Sequence, residues 1–298
     1  MTTGNAVATR NKQWVLASRP AGPVVESNFT LVDAEVPVLQ DGQALIKVHY
    51  LSLDPYMRGR MDDAKSYAPP QALGAVMIGG TVGEVVESRT DELNRGDMVV
   101  GMGGWQQYFV TDARGVRPID VRRVPASAYL GVVGMPGVTA WYGLNKIGAP
   151  KAGETVFVSA ASGAVGSVVG QLAKLRGCRA VGIAGGPAKC DYVVHELGFD
   201  ACIDYKSSEA RERFAAATPD GVDVVFENVG GAVLNMSLAR MNVGGRIALC
   251  GLIAGYDGQD IAMKNVRSIL VNRLTVTGFV VTDHNETWPQ ALGSSRDT

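Results

Sequence analysis

An excess of positive charge is absent from this chain of 298 residues: 28 Lys and Arg stand against 29 Asp and Glu, a formal net charge of −1. The pI is about 6.3. The basic residues are scattered, with no run that would make the stripe a nucleic-acid backbone needs, so no nucleic-acid partner is expected. Long apolar runs are missing too, which excludes a membrane-spanning helix and a membrane partner. The opening residues, MTTGNAVATRNKQ, lack the apolar core of a secretory leader, and a cytoplasmic location is expected. Cysteine is scarce: Cys178, Cys190, Cys202 and Cys250 form no C-x-x-C pair. In a reducing compartment they read as four reduced, mostly buried thiols. Histidine is scarcer still, and His49, His195 and His284 stand at no metal-ligand spacing. No metal is expected.

What is present is ordinary for a globular protein: 46% hydrophobic and 19% charged residues on a length that can build two cores. One segment stands out. Val158–Gly170 reads VSAASGAVGSVVG, a strand, a glycine turn and the first turns of a helix. Ala161-x-Gly163-x-x-Gly166 is the dinucleotide-binding fingerprint with alanine for its first glycine. Gly163 allows close approach of a diphosphate, and Gly166 allows the helix to pack tightly on the strand. The helix start offers free N–H groups and the positive end of a dipole. With 37 glycines in the chain such a pattern arises by chance, but strand-like residues before it and helical spacing after it support the ligand reading.

The chain up to about Val124 reads as strands and turns, with strands at 14–18, 29–34, 44–53 and 79–88. From Thr155 the rhythm becomes strand, helix, strand. Strands are predicted at 155–159, 180–183, 201–204, 222–227, 246–250 and 274–281, and helices at 166–175, 188–197, 209–217, 232–241 and 263–270. Gly177 and Gly198 follow the first two helices, where a terminating glycine belongs. The strands are short apolar runs rather than alternating ones, as expected when helices cover both faces. The class is therefore α/β: a Rossmann doubly wound parallel sheet behind a β-rich N-terminal domain. The boundaries expected are 1–128 for the β-rich domain, 129–290 for the Rossmann domain and 291–298 for a short tail.

A site for NAD usually carries Asp or Glu after the second strand, to bond the adenine ribose. Here Ala184, Gly185 and Gly186 occupy that position, and Lys189 follows. A missing carboxylate beside a cation favours a 2′-phosphate, hence NADPH.

The segments LSLDPYMRGRM (51–61), GMPGVTAWYGL (134–144), SAASGAVGSVVGQLAKLRGC (159–178), ENVGG (227–231), CGLIAGY (250–256) and GFVV (278–281) carry a resemblance to a family. They are similar to the zinc-independent medium-chain dehydrogenases/reductases, in the group of leukotriene B4 12-hydroxydehydrogenases, prostaglandin reductases and curcumin reductases. The resemblance implies a GroES-like catalytic domain before the Rossmann domain. It implies that Gly163, Ala164, Val165 and Gly166 hold the pyrophosphate, that Lys189 and Tyr205 hold the 2′-phosphate, and that Asn228 bonds the ribose region. Cys250, Gly251, Leu252, Ile253, Ala254, Gly255 and Tyr256, with Phe279, Val280 and Val281, would line the nicotinamide. Zinc alcohol dehydrogenases carry a metal-binding cysteine near Leu51–Asp54; Leu-Ser-Leu-Asp here agrees with the absence of a metal.

The chemistry implied is reduction of the C=C bond of an α,β-unsaturated ketone or aldehyde, with hydride going to the β-carbon and charge building on the carbonyl oxygen. That oxygen needs a hydrogen-bond donor, and Tyr56 and Tyr256 are the candidates, since a phenol donates without carrying charge. Arg58 reads as an ion-pair partner. Alternatives are an NADPH quinone reductase of the same superfamily and a non-catalytic NADPH-binding protein. Strand 274–281 is expected to pair with its copy in a homodimer. Family members also continue past the position where this sequence stops, with a segment that returns to the catalytic domain; lower stability than in such relatives is the expectation.

Overall fold

A computed structural model describes residues 9–294; the opening residues 1–8 read above for a leader, and 295–298 of the expected tail, lie outside them. The chain divides into two compact units, Met1–Leu130 and Gly131–Thr298.

Among the described residues of the first unit, β1 (Arg10–Leu16) and β2 (Phe29–Glu35) pair antiparallel. Strands β3 (Gln43–Leu51), β4 (Thr81–Ser88), β5 (Met98–Gly101), β6 (Tyr108–Asp112) and β7 (Val116–Pro118) form a five-stranded antiparallel sheet in the order β6-β3-β4-β5-β7. Between β3 and β4 lies the short helix α1 (Tyr56–Arg60). The sheet closes over Ala44, Ile46, Val85, Val99 and Phe109. Met57 and Met61 anchor α1 in a second cluster with Leu16 and Met77, and Tyr56 packs against the same cluster.

The second unit opens with α2 (Met135–Tyr142), which runs on as a wider turn to Gly148. It continues with β8 (Thr155–Val158), α3 (Gly166–Leu175), β9 (Arg179–Ala184), α4 (Pro187–Asp191), β10 (Ala201–Asp204), α5 (Ala210–Ala217), β11 (Val222–Glu227), α6 (Gly231–Leu238), β12 (Met241–Leu249), α7 (Arg267–Val271), β13 (Thr275–Gly278) and α8 (Trp288–Ser294). The six strands make one parallel sheet, β10-β9-β8-β11-β12-β13. Its two faces are both covered. Val156, Val158, Val224 and Phe226 point to one core with Leu144, Val169 and Phe199, while Phe157 and Val225 point to the other with Ile183, Phe214 and Leu238. That is why the strands carry no polar alternation. Helix α3 lies so close that a side chain on Gly170 would run into the Phe199 ring.

Several boundaries differ from those expected. The helix predicted to Met241 ends at Leu238, and Met241 already belongs to β12. There Gly244 takes φ +75° and Asn242 Nδ2 donates to Asp223 Oδ1 at 2.8 Å, so a turn-like sequence is tied into the sheet. The helix predicted over 263–270 is only Arg267–Val271, and the strand predicted over 274–281 is only Thr275–Gly278. The expected tail begins inside a helix: α8 covers Trp288–Ser294, with Ala291 buried against Val138, Trp141 and Val281.

Candidate functional site

The order of the six strands reverses direction between β8 and β11, which makes their carboxyl ends a topological switch point, the place where open parallel sheets bind ligands. Register puts Phe226 beside Val158, so the next residues, Glu227 and Ser159, meet in the crevice. The chain leaves β8 through Ser159 and Ala160, and the left-handed backbone falls on Ala160, at φ +50°. Gly163 N–H donates back to the Ala160 carbonyl at 2.9 Å, and Ser167 N–H to the Gly163 carbonyl at 2.9 Å. A Cβ on Gly166 would strike the Ala160 carbonyl, and one on Gly163 would stand 3.1 Å from the same oxygen. The turn Gly163, Ala164, Val165, Gly166 is therefore pressed onto the strand end, and α3 starts from it with the Ser167, Val168 and Val169 amides already donating to the Gly163 and Val165 carbonyls. Alanine is accommodated at 161 because the strand beside it carries glycine: a Cβ at Gly182 would come within 2.6 Å of the Ala161 methyl.

On the far side of β9 the turn Ala184-Gly185-Gly186 carries no acidic side chain. The Tyr205 ring lies along Gly185, where a Cβ would meet it at 2.9 Å. Asp204 Oδ1 accepts from Gly186 N–H at 2.8 Å and Lys206 N–H at 3.0 Å. These two amides hold the Asp204 carboxyl below the usual range. Lys189 stands exposed on α4.

Glu227 organises the other wall of the crevice, and its role was not read from the sequence. It is fully buried, as is Ser159. Its Oε1 accepts from Ser159 Oγ at 2.9 Å, Val229 N–H at 2.6 Å and Gly230 N–H at 2.8 Å. Asn228 N–H in turn donates to Ser159 Oγ at 2.6 Å, and Asn228 Nδ2 to the Ser159 carbonyl at 2.8 Å. The signal was available: VDVVFE ends an otherwise buried apolar strand in a carboxylate. Burial pushes the Glu227 carboxyl up from the usual range. It also pushes the nearby Cys250 thiol up, to about 12, with Glu227 adding to the effect.

The segment Cys250–Tyr256 runs back over this hub. Cys250 and Gly251 N–H donate to the Glu227 carbonyl at 2.8 and 3.1 Å, Ile253 N–H to the Asn228 carbonyl at 3.2 Å, and Ala254 N–H to the Val229 carbonyl at 3.0 Å. Leu252 closes on Gly230, where φ is +79° and a Cβ would come 2.9 Å from the leucine methyl, so glycine is required there. Gly255 leads into Tyr256, whose half-buried phenol is turned toward Leu252 and Cys250, and burial pushes it up from its ordinary value. Phe279 and Val281 have their side chains in the core: the Phe279 ring meets Phe226 edge-on at 6.2 Å, and Val281 packs on Trp141. Val280 between them is partly exposed.

In the first unit, Tyr56 opens α1 with Asp54 and Arg60 nearby; burial, then Asp54, pushes its phenol up to about 12. Arg58 is an ion-pair partner, its Nη1 2.7 Å from Asp62 Oδ1. Among the described residues no three His, Cys, Asp or Glu side chains gather as a metal site requires.

A doubly wound parallel sheet with a glycine turn at its switch point defines a nucleotide-dependent dehydrogenase fold. Residues 12–119 match the family described as the N-terminal domain of oxidoreductase, and residues 164–295 the family described as zinc-binding dehydrogenase. The chain is 45% identical over 278 residues to the NADPH-dependent curcumin reductase of Escherichia coli K12, covering 91% of this chain and 81% of that one. It is 40% identical over 292 residues to the NADP(+)-dependent 2-alkenal reductase of Nicotiana tabacum, covering 95% and 84%. The crystal structure of CurA from Vibrio vulnificus in complex with NADPH is 43% identical, with a TM-score of 0.91 over 96% of this chain and 87% of that one. The chain belongs to the medium-chain dehydrogenase/reductase family, in the group that holds the curcumin, 2-alkenal and prostaglandin reductases.

Proposed function

We propose that this chain is an NADPH-dependent reductase of the C=C bond of α,β-unsaturated ketones and aldehydes, working without a metal. The observation that carries the reading is the crowded Ser159–Gly166 turn at the switch point, where Gly166 has no room for a side chain and Gly163 is tight against the Ala160 carbonyl. The residues fit the cofactor. Gly163, Ala164, Val165 and Gly166 hold the diphosphate against the first amides of α3. Lys189 and Tyr205 take the 2′-phosphate beside a turn without an acid. Asn228, Cys250–Tyr256 and the Phe279–Val281 backbone bound the nicotinamide end.

Bound NADPH supplies the hydride for the β-carbon. The tyrosines handle the charge that follows. With its phenol pushed up to about 12, Tyr56 keeps its proton at neutral pH and donates to the carbonyl oxygen as it becomes an enolate oxygen. Tyr256, also raised, is the second donor. A proton reaches the α-carbon from a side chain or water.

The same reading places the enzyme in a reducing cytoplasm, which suits its four free cysteines. It also gives the chain a homodimer built on β13. That strand is one of the two edges of the six-stranded sheet, and Val266, Leu270, Val271 and Val276 around it are exposed.

The test is loss of NADPH absorbance on adding an enone, a quinone or neither. Turnover with the enone is expected. Binding of NADPH without turnover, or turnover confined to quinones, overturns the reading, and sedimentation as a monomer overturns the dimer.

A further inference from the structure

We propose that Glu227 is a positioning residue for the dinucleotide, its carboxyl tying together the strand ends and the loop that carry the cofactor contacts. This rests on the NADPH reading above. The two carboxyl oxygens are used unequally. Oε1 takes three donors, Ser159 Oγ, Val229 N–H and Gly230 N–H. Oε2 is buried and has no hydrogen-bond partner among the described residues. The Glu227 carbonyl takes two more, from Cys250 and Gly251. One residue therefore fixes the exit of β8, the ribose-side Asn228, the turn into α6 and the start of the Cys250–Tyr256 segment.

Two observations favour a proton on Oε2: the oxygen is buried without a donor among the described residues to offset a negative charge, and burial pushes the carboxyl up from its ordinary range. A buried anionic oxygen without a donor is costly, whereas a protonated Oε2 leaves Oε1 free to accept all three bonds. Among the described residues its bonding partners are Ser159, Val229 and Gly230, none of them basic. The titratable group beside it is the Cys250 thiol, and Ser159 and the α6-side amides carry no charge. Glu227 thus acts as a neutral acid that organises backbone. Glutamine, with an amide oxygen in place of Oε1 and an NH2 in place of Oε2, reproduces that form. Aspartate is one carbon too short to reach both Ser159 and the Val229–Gly230 amides.

The experiment measures NADPH Kd by quenching of protein fluorescence, with kcat at saturating NADPH, for the wild type, Glu227→Gln, Glu227→Asp and Glu227→Ala. The expected result is a Kd for Glu227→Gln within about threefold of the wild type, and a Kd for Glu227→Ala raised about tenfold or more. Its kcat should change far less, because positioning acts on binding shared by ground and transition states. Glu227→Asp should fall between. If Glu227→Ala does not fold, Ser159→Ala, which removes one of the three donors, should raise Kd about threefold. A Glu227→Gln variant as impaired as Glu227→Ala overturns the neutral-acid reading, and unchanged Kd in every folded variant overturns the positioning role. Failure of the wild type to bind NADPH is a separate outcome, which overturns the proposed function itself.

Discussion

Adding one methyl at Gly166 and one at Gly163 separates the two jobs assigned to this turn. In Gly166→Ala the new methyl would strike the Ala160 carbonyl oxygen and stand 3.0 Å from both Ala160 C and Ala161 Cα. Carbon atoms rest about 3.5–4.0 Å apart, so strand exit and helix must part by about half an ångström or more. Neither side gives easily. Ala160 already sits at φ +50°, and Ala161 is fully buried. Overpacking of this kind costs about 1–3 kcal/mol, or a melting temperature lower by about 3–9 °C for a unit the size of Gly131–Thr298. Moving the first turn of α3 also moves the amides proposed to hold the diphosphate, and each 1.4 kcal/mol lost is about tenfold in Kd. In Gly163→Ala the methyl meets one atom, the Ala160 oxygen at 3.1 Å, which a shift of a few tenths of an ångström relieves. Its melting temperature should stay within about 2 °C of the wild type, while its NADPH Kd rises about tenfold or more because the methyl occupies the diphosphate's approach. Differential scanning fluorimetry and NADPH titration read the two effects. A Gly163→Ala protein that binds NADPH within about twofold of the wild type refutes the close approach; a Gly166→Ala protein that melts with the wild type refutes the packing argument.

Replacing Lys189 with alanine should weaken NADPH about tenfold and leave NADH unchanged; equal loss for both coenzymes, measured by titration, rejects the 2′-phosphate assignment. Tyr56→Phe and Tyr256→Phe together should lower kcat about a hundredfold, and full enone reduction by the double variant rejects both donors. With its thiol at about 12 rather than the usual 9.0, Cys250 has about a thousandfold less thiolate at pH 8. Mass spectrometry should find it unlabelled by iodoacetamide while a free thiol reacts to completion, and rapid labelling contradicts the burial argument. Glu227 is raised in the native state from 4.5, so the folded protein holds a proton that the unfolded chain releases. Stability should fall as pH rises from 4.5 through the raised value. Glu227→Gln should flatten that slope in urea titrations across pH, and parallel slopes in the two proteins refute it.

The second unit was legible where strands run apolar between clear stops. Strands Ala201–Asp204 and Val222–Glu227 were read with the bounds the structure has, because each is a short, mainly apolar stretch between clear stops. Legibility failed where tertiary bonds override local signals. Asn242–Gly245 reads as a turn, yet Asn242 bonds to Asp220 and Asp223 hold it in β12. Helix α8 was hidden because its periodicity is only seven residues long, too short to stand out from its flanks. At the site, the glycine turn was visible as spacing. The φ +50° at Ala160, the room that Gly182 makes for Ala161 and the hub at Glu227 depend on which strands are neighbours, and neighbours are far apart in sequence: Ser159 and Glu227 are separated by 68 residues.

That separation explains why a polar cluster can sit at the heart of an apolar sheet. Between β8 and β11 the crossover helices diverge to opposite sides, so no helix covers the strand ends and the backbone there must find partners of its own. Ser159 and Glu227 supply them from side chains, and each donor or acceptor they satisfy belongs to a different segment of the crevice. A pair of apolar residues would fill the same volume but leave Val229, Gly230 and Asn228 amides unpaired, at about 1–3 kcal/mol for each buried donor. The topology thus calls for the buried acid: the opening proposed to admit a dinucleotide also strips the strand ends of backbone partners, and the side chains that replace those partners set the shape of the opening.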